Sequence, residues 1–238
     1  MFEDFIKGKK VALVGPAAYM MNSGYGKEIE DSEVVVRINR SYESVEKFSR
    51  DIGKRTDVLY SCLIEKNANA GKIDPNLLFS LGVKHICVPP ASSMKGLSEI
   101  TAFHELIDLD KVKALNEKIP VRIVDHHFHN DLALRVNCRP NTGFMAIYDI
   151  LRFKPSELRI YGFSFYLDGF VKGVKEGVQE EQNKSPEQFA DQCFNSKRHI
   201  QKNMWLYAKN TLNKNQNVKV DKFLKKILSL PRLDRDLF

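Results

Sequence analysis

One histidine stands alone near the start of a predicted helix late in the chain. His199 precedes a segment in which apolar residues recur at helical spacing, from Ile200 to Thr211. Because the N-terminus of a helix disfavours imidazolium, this side chain is expected to stay neutral at pH 7, the form that a general base needs. A lone histidine is more often a surface or core residue, so both interpretations stay open.

The segment "RPNTG" (139–143) places a cation and two cap-forming residues before another helical pattern. Asn141 or Thr142 can cap that helix, and the uncommitted N–H groups at its start can hold a phosphate or a carboxylate. Arg139 adds a fixed positive charge. Taken alone, the pattern is a helix cap more often than a ligand site.

A later strand ends in "YGFSFY" (161–166), where Gly162 stops the strand and Phe163 to Tyr166 form its exit loop. The Tyr166 phenol could donate a hydrogen bond to a departing phosphate. The alternative is an exposed aromatic loop with a glycine turn. Earlier in the chain, Gly15 ends the first predicted strand and lets a ligand approach the backbone closely.

Two more predicted strands end in polar side chains. Asn39 carries an amide that suits a pyrimidine base or a ribose, and Ser61 lies at the tip of the next strand. Arg37 shares a strand face with Asn39. Because a charged residue in an apolar strand is costly unless it is paired, Asp51 or Asp57 is its expected partner.

The cluster "DHHFHND" (125–131) has the residue types of a metal site, with His127 and His129 on one face if the preceding strand continues. No second group of cysteine, histidine or carboxylate residues in the sequence completes a clear set. A structural or surface role is therefore favoured over a metal site.

Short β-branched runs alternate with helical patterns, and these elements must position the residues above. Near-continuous apolar strands indicate a sheet covered on both faces, hence parallel strands with crossover helices. The predicted fold class is α/β, a Rossmann-like doubly wound, mostly parallel sheet, in which ligands bind beyond the carboxyl ends of the strands. The predicted strands are 10–15, 33–39, 57–62, 84–90, 121–125, 157–164 and 218–220.

Composition limits the class of protein. The 238 residues are 43% hydrophobic and 28% charged, with no signal-peptide pattern and no apolar run near the roughly 20 residues that span a bilayer. Four dispersed cysteines favour reduced thiols in a cytosolic protein. The net charge of +7 favours anionic partners. Nucleic acid is disfavoured among these because the sequence has no aromatic–basic stripe or known binding motif.

Two blocks of the chain resemble, in order, the sialyl motifs of animal-type sialyltransferases. "VALVGPAAYMMNSGYGKEIEDSEVVVRINRSYESVEKFSRDIGKRTDVLYS" (11–61) resembles the large motif, and "RPNTGFMAIYDILRFKPSELRIYGF" (139–163) resembles the small motif. The later part, with "YGFSFYLDG" and then "HIQKNMWLYAKNTL" (199–212), is similar to single-domain bacterial sialyltransferases. The resemblance implies a GT-A-like variant of the sheet. It also implies an inverting transferase that moves sialic acid from CMP-sialic acid to a glycan hydroxyl, without a metal or other cofactor.

The same resemblance implies roles for individual residues. His199 matches the catalytic base, Tyr166 matches a tyrosine on the leaving phosphate, and Arg139 matches an arginine near the acceptor. Lys172 falls near a second phosphate-binding tyrosine of the family and would replace it as a cation. The nucleotide-sugar contacts that it implies, besides Tyr166 and Lys172, are Gly15, Asn39, Ser61, Asn141, Thr142, Gly143, Gly162 and Phe163.

Pro16 stands where the family has an asparagine. Transfer of another CMP-activated keto-sugar such as Kdo therefore stays an alternative, as does a CMP-sugar-binding module without turnover. We expect one glycosyltransferase domain over 1–238, with a mobile lid over 167–195 and a basic helical tail over 221–238. The tail offers a peripheral contact with an anionic membrane for a cytoplasmic protein, and a homo-oligomer is left open.

Overall fold

Seven parallel strands form the sheet in the computed structural model, which describes residues 1–63, 73–90, 107–171, 174 and 184–237. Each strand lies within a segment predicted from the sequence, so the predicted parallel α/β fold is confirmed. The strands are β1 (Lys10–Val14), β2 (Val34–Ile38), β3 (Val58–Tyr60), β4 (His85–Val88), β5 (Val121–Ile123), β6 (Glu157–Tyr161) and β7 (Val218–Val220).

The strand order is β5-β4-β3-β2-β1-β6-β7. From β1 the chain builds outward to β5, then returns and adds β6 on the other side of β1. Val11 of β1 consequently pairs with Val34 on one side and with Leu158 on the other. The topological switch therefore lies between β1 and β6, which is where doubly wound sheets bind ligands.

Both faces of the sheet are buried, as the continuous apolar strands predict. Val11 and Leu13 of β1 belong to one buried cluster, which also contains Trp205. Ala12 and Val14 belong to a second cluster, because successive side chains of a strand point to opposite faces. Apolar burial on both faces fixes the register of the strands and so the position of their carboxyl ends.

Helices cover the two faces of the sheet. The sequence also predicts a helix over 98–118, of which residues 98–106 lie outside the described residues. No helix among those that the structure describes is long and apolar enough to cross a membrane. The helices are α1 (Phe2–Ile6), α2 (Gly26–Glu30), α3 (Ser49–Ile52), α4 (Pro75–Ser80), α5 (Leu109–Asn116), α6 (His126–Val136), α7 (Thr142–Arg152), α8 (Pro186–Phe194), α9 (Gln201–Thr211) and α10 (Lys222–Ser229).

Arg37 is fully buried in β2, but its predicted pairing with Asp51 or Asp57 is wrong. Its guanidinium donates to the main-chain carbonyl of Ile52 at 2.7 Å and to the Thr56 hydroxyl at 3.1 Å. Burial lowers the pKa of Arg37 to about 10. The following turn thus supplies acceptors for Nε and Nη2, while Nη1 is buried without a hydrogen-bond partner among the described residues. A sequence pattern of charged residues does not reveal main-chain acceptors.

The histidine cluster does not continue β5. The Asp125 carboxylate accepts a hydrogen bond from the Phe128 N–H at 2.8 Å and caps α6, so the cluster forms the first turn of a helix. Residues two apart on a helix do not share a face, which separates His127 from His129. Within the described ranges, no group of three histidine, cysteine or carboxylate residues is arranged to hold a metal ion.

Candidate active site

A cleft opens beyond the carboxyl ends of β1 and β6, at the topological switch of the sheet. Gly15 and Ser61 do not line it, and Lys172 lies outside the described residues. The predicted site residues that do line the cleft are Asn39, Arg139, Asn141, Thr142, Gly143, Gly162, Phe163, Tyr166 and His199.

The Phe163 ring lies between two glycines that come from distant parts of the chain. A Cβ atom added to Gly15 would stand 2.9 Å from this ring, and one added to Gly143 would stand 2.8 Å from it. Either distance is shorter than van der Waals contact allows. Gly15 therefore supports the floor of the cleft from behind, and the two glycines let the loop after β6 lie against the start of α7.

The start of α7 presents main-chain N–H groups to the cleft. Asn141 is the N-cap of the helix, and its side-chain oxygen accepts a hydrogen bond from the Phe144 N–H at 2.8 Å. The N–H groups of Thr142 and Gly143, in the first turn, have no acceptor within the helix. This end of α7 can therefore hold an anionic group, while Asn141 itself is occupied as a cap.

Asn39 follows β2 with a positive φ of 48°, which turns its backbone out of the strand. Its side-chain oxygen is buried and has no hydrogen-bond partner among the described residues, although the residue lines the cleft. A buried amide oxygen without a partner is costly unless a ligand supplies a donor. Ser61 differs, because its hydroxyl accepts from the Leu63 N–H at 3.2 Å within a local turn.

His199 lies just before α9, which begins at Gln201. Its Nδ1 is 2.8 Å from the main-chain oxygen of Arg139, and burial lowers its pKa to about 4. A carbonyl oxygen only accepts hydrogen bonds, so in the neutral ring Nδ1 carries the proton and Nε2 keeps its lone pair. The histidine is neutral at pH 7 mainly because it is buried, and not, as predicted, because it begins a helix.

The loop after β6 holds two aromatic residues in the left-handed region. Phe165 has φ 52° and Tyr166 has φ 60°, a conformation that costs about 1–2 kcal/mol for each residue that is not glycine. The Tyr166 ring packs against Phe170, with centroids 5.6 Å apart. Burial raises the pKa of Tyr166, so its phenol stays protonated and can donate a hydrogen bond in the cleft.

Two polar side chains hold the main chain at the beginning of this loop. The Tyr19 hydroxyl donates to the Asp221 carboxylate at 2.8 Å and accepts from the Phe163 N–H at 2.9 Å. The same carboxylate oxygen accepts from the Gly162 N–H at 2.9 Å. Burial raises the pKa of Asp221 and that of Tyr19. Neither residue was predicted as functional, because 202 positions separate them in the sequence.

Arg139 and Arg198 bring two cations to the cleft beside His199. Arg139 is only 9% exposed, and burial, followed by the charge of Arg198, lowers its pKa to about 10. The Arg139 N–H donates to the main-chain oxygen of Arg198 at 3.2 Å, which ties the two segments together. Arg198 belongs to neither of the family motifs. In the sequence, only its position next to His199 indicates that it lies at the site.

Comparisons with known proteins fit this architecture. Residues 7–170 match the model of glycosyltransferase family 29 (sialyltransferase). No curated protein sequence matches the chain significantly.

Solved sialyltransferases share the fold. A mammalian sialyltransferase in complex with Gal-beta-1-3GalNAc-ortho-nitrophenol is 15% identical, with a TM-score of 0.55, over 92% of this chain and 71% of that one. The sialyltransferase CstII from Campylobacter jejuni, in complex with the substrate analogue CMP-3FNeuAc, is 15% identical, with a TM-score of 0.52, over 89% of this chain and 80% of that one. At this identity, the structural likeness establishes the fold.

Proposed function

The chain belongs to glycosyltransferase family 29, the sialyltransferases, and we propose that it transfers sialic acid from CMP-sialic acid to a hydroxyl group of a glycan acceptor. One observation carries the proposal. The family match includes the residues after β1 and β6, and these enclose one cleft together with a neutral, half-buried His199. The enzyme is a CMP-sugar-dependent glycosyltransferase.

The donor would lie across the topological switch. The side-chain oxygen of Asn39, which has no partner among the described residues, suits a ribose hydroxyl or the amino group of cytosine, both of which are donors. The N–H groups at the start of α7, near Thr142, suit the phosphate. Tyr166 would donate its phenolic hydrogen bond to the same phosphate. In this arrangement Gly15, Gly143 and Phe163 support the donor through packing.

His199 would act as the general base. Its Nε2 takes the proton from the acceptor hydroxyl as the oxygen attacks the anomeric carbon of sialic acid. The bond from that carbon to the phosphate oxygen breaks, CMP leaves with the electron pair, and the new glycosidic bond forms on the opposite face. The configuration at the anomeric carbon is therefore inverted.

The departing phosphate gains negative charge in the transition state. We infer that Tyr166 and the N-terminus of α7 stabilise this charge, since both present hydrogen-bond donors in a partly enclosed cleft. The reaction would then need no divalent metal. Addition of excess EDTA to the purified enzyme should leave kcat within experimental error, whereas loss of turnover that Mg²⁺ or Mn²⁺ restores would refute metal independence.

The decisive assay measures CMP release from CMP-sialic acid in the presence of lactose- and sialyllactose-type acceptors. The variant His199→Ala should lose at least about a hundredfold in kcat, because general-base catalysis contributes about 10²–10⁴-fold. His127→Ala, which removes an exposed histidine of α6, is the matched control. Equal rates for His199→Ala and wild type would contradict the assignment of the base.

One alternative donor substrate, CMP-Kdo, is favoured by a specific residue of the cleft. Pro16 lines the cleft and offers no side-chain amide where the family has an asparagine, so CMP-Kdo belongs in the same assay. Faster turnover of CMP-Kdo than of CMP-sialic acid would change the donor while keeping the reaction class. Calorimetric binding of CMP without turnover of either sugar would instead indicate a binding module.

We also propose that the protein works in the cytoplasm at an anionic membrane surface. Its four cysteines form no disulfide bond with one another, as expected in a reducing compartment. Helix α10 buries Leu224, Ile227 and Leu228 in the core and turns Lys222 and Lys225 outward. Vesicles that contain phosphatidylserine should retain the protein at low salt, and Lys222→Glu with Lys225→Glu should abolish retention. Equal retention on neutral vesicles would contradict the electrostatic contact.

A further inference from the structure

The last segment of the chain folds back over the loop after β6. After α10 ends at Ser229, Leu233 is buried in the same apolar cluster as Leu167 of that loop. Arg235 follows two residues later, and its Nε donates a hydrogen bond to the main-chain oxygen of Leu167 at 3.3 Å. Leu167 directly follows Tyr166, so this contact holds the backbone beside the tyrosine.

The same guanidinium also holds α8. Its Nη1 donates to the Asp191 carboxylate at 3.1 Å, and its central carbon lies 5.9 Å from the centroid of the Phe194 ring. The Asp191 side chain is 57% exposed, and an ion pair exposed to this degree contributes little to the stability of the fold. Arg235 therefore acts mainly by fixing geometry, since one planar guanidinium joins α8 to the loop after β6.

Helix α8 supports Tyr166 through a row of aromatic rings. The Tyr166 ring packs against Phe170 with centroids 5.6 Å apart, and Phe170 packs against Phe189 of α8 with centroids 5.7 Å apart. Cys193, one turn further along α8, lines the cleft. A displacement of α8 therefore reaches the tyrosine ring through two aromatic contacts.

The backbone of the loop depends on such support. Phe165 and Tyr166 both have a positive φ, and residues other than glycine keep this conformation only where the surrounding structure enforces it. Just after these residues, the Asp168 carboxylate accepts a hydrogen bond from the Tyr19 N–H at 2.7 Å. This contact and the bond from Arg235 together fix the end of the strained stretch.

We propose that Arg235 is a positioning residue: by joining the loop after β6 to α8, it holds the Tyr166 phenol where the phosphate departs. The inference rests on the proposed transferase function and on the role of Tyr166 in it. It adds a residue that lies beyond the family-matched range 7–170 and does not line the cleft. Neither the sequence motifs nor the family match therefore points to this residue.

The test measures the kinetics of CMP release from CMP-sialic acid with a lactose-type acceptor. Arg235→Gln should lower kcat by about 10–100-fold, since a misplacement of about 1 Å can cost about a hundredfold. The KM for the acceptor should stay near the wild-type value, because the loop after β6 lies on the donor side. Arg235→Lys keeps one charged donor and should restore part of kcat.

A double variant separates positioning from a general loss of stability. If Arg235 acts through the Tyr166 phenol, Arg235→Gln should cost little further kcat once Tyr166→Phe has removed that phenol. Arg232→Gln is the matched control, because it removes an exposed arginine of the same segment, one that pairs with Asp234. This control should keep the wild-type kcat.

Hydrogen–deuterium exchange gives a second readout that does not depend on turnover. Arg235→Gln should speed exchange about two- to tenfold in α8 and in the loop after β6, the size expected when an exposed ion pair and one hydrogen bond are lost. Exchange in β1 and β6 should stay unchanged. Asp191→Asn removes the ion pair but leaves the bond to Leu167, so it should affect α8 more than the loop.

Three results would overturn the assignment. The first is wild-type kcat in Arg235→Gln. The second is the same fold loss of kcat with and without the Tyr166 phenol, because Arg235 would then act elsewhere. The third is faster exchange over the whole chain, the sheet included, because that would indicate global destabilisation.

Failure of the transferase function itself has a different signature, which is no CMP release by the wild type from any CMP-sugar. Exchange measured with and without CMP then decides the role of Arg235 separately. CMP should slow exchange in the loop after β6 of the wild type and of Arg232→Gln, and this protection should be about two- to tenfold smaller in Arg235→Gln. Equal protection in all three proteins, or none in the wild type, would reject the positioning role.

Discussion

The Tyr19 hydroxyl and the Asp221 carboxylate, 2.8 Å apart, join the loop after β1 to the residue that caps α10. Through this pair, a residue beyond the family-matched range 7–170 fixes the main chain of Gly162 and Phe163. The loop that begins there carries Tyr166. The pair therefore positions the exit of β6 without lining the cleft itself.

The first prediction removes the shared hydroxyl. Tyr19→Phe leaves the Phe163 N–H without its acceptor and removes one donor from Asp221. The free energy of unfolding should fall by roughly 1–3 kcal/mol, and the melting temperature should fall by about 2–10 °C. The KM for CMP-sialic acid should rise more than the KM for the acceptor, because the loop after β6 belongs to the donor side.

Thermal unfolding and steady-state kinetics check this prediction, with Tyr207→Phe as the control for loss of a hydroxyl on a half-buried ring. A Tyr19→Phe enzyme that melts and binds donor like the wild type would show that the pair of Tyr19 and Asp221 contributes little.

The second prediction concerns pH. Burial lowers the pKa of His199 to about 4, below its ordinary value of 6.5. The base therefore stays neutral until the pH approaches 4, and the acid limb of the kcat/KM profile should fall near pH 4 instead of near 6.5. A profile that declines through pH 6.5, on protein shown to be folded, would contradict a base with a lowered pKa.

The free energy of unfolding should depend on the same protonation of His199, and it should decrease as the pH falls. The unfolded chain binds a proton at His199 near pH 6.5, whereas the folded chain binds it only near pH 4. The stabilisation is therefore complete above pH 6.5 and is lost as the pH falls toward 4. His129 has the same depressed pKa of about 4, so the two effects add. Urea unfolding from pH 7 to pH 4.5 should show a decreasing free energy, and His129→Gln should make the decrease smaller.

The fold was predictable because burial imposes a pattern on the strands. Val34, Val35 and Val36 are all buried, and only a sheet covered on both faces buries such a run. The short motifs after β1 and β6 lie at the carboxyl ends of adjacent strands, so their meeting also follows from topology.

The remaining features depend on contacts that have no local pattern. Asp221 stands in a basic segment and looks like a helix cap, yet its second oxygen serves the loop after β6. His199 was expected to be neutral because of a helix N-terminus, but burial among distant segments is the main cause. Arg37 uses main-chain carbonyls, which every residue possesses. Sequence patterns therefore indicated where polar groups would meet, and the structure was needed to identify their partners.

The third prediction tests the packing of Phe163. A Cβ atom in Gly143→Ala would lie 2.8 Å from this ring, so the ring or the start of α7 must move. Overpacking of this kind costs typically about 1–3 kcal/mol. We expect weaker binding of CMP, measured by calorimetry, because the same helix start faces the donor phosphate.

A second substitution supplies the control for the packing argument. Phe163→Leu in the Gly143→Ala background creates space and should recover part of the lost affinity for CMP. Purely additive losses in the double variant would indicate that the glycine and the ring do not act through contact.

The last prediction separates chemistry from binding at Tyr166. Its phenol stays protonated because partial burial raises its pKa, and it can stabilise charge that develops on the departing phosphate. Removal of one such donor in enzymes that stabilise an oxyanion costs about 10²–10³-fold in kcat. Tyr166→Phe keeps the ring that packs against Phe170 and should lower kcat by about that factor, with a smaller change in the KM for CMP-sialic acid. Phe170→Leu disturbs the packing but keeps the phenol, so it should affect KM and stability more than kcat. If Tyr166→Phe instead raised KM with kcat intact, the phenol would serve ground-state binding and not the departure of the phosphate.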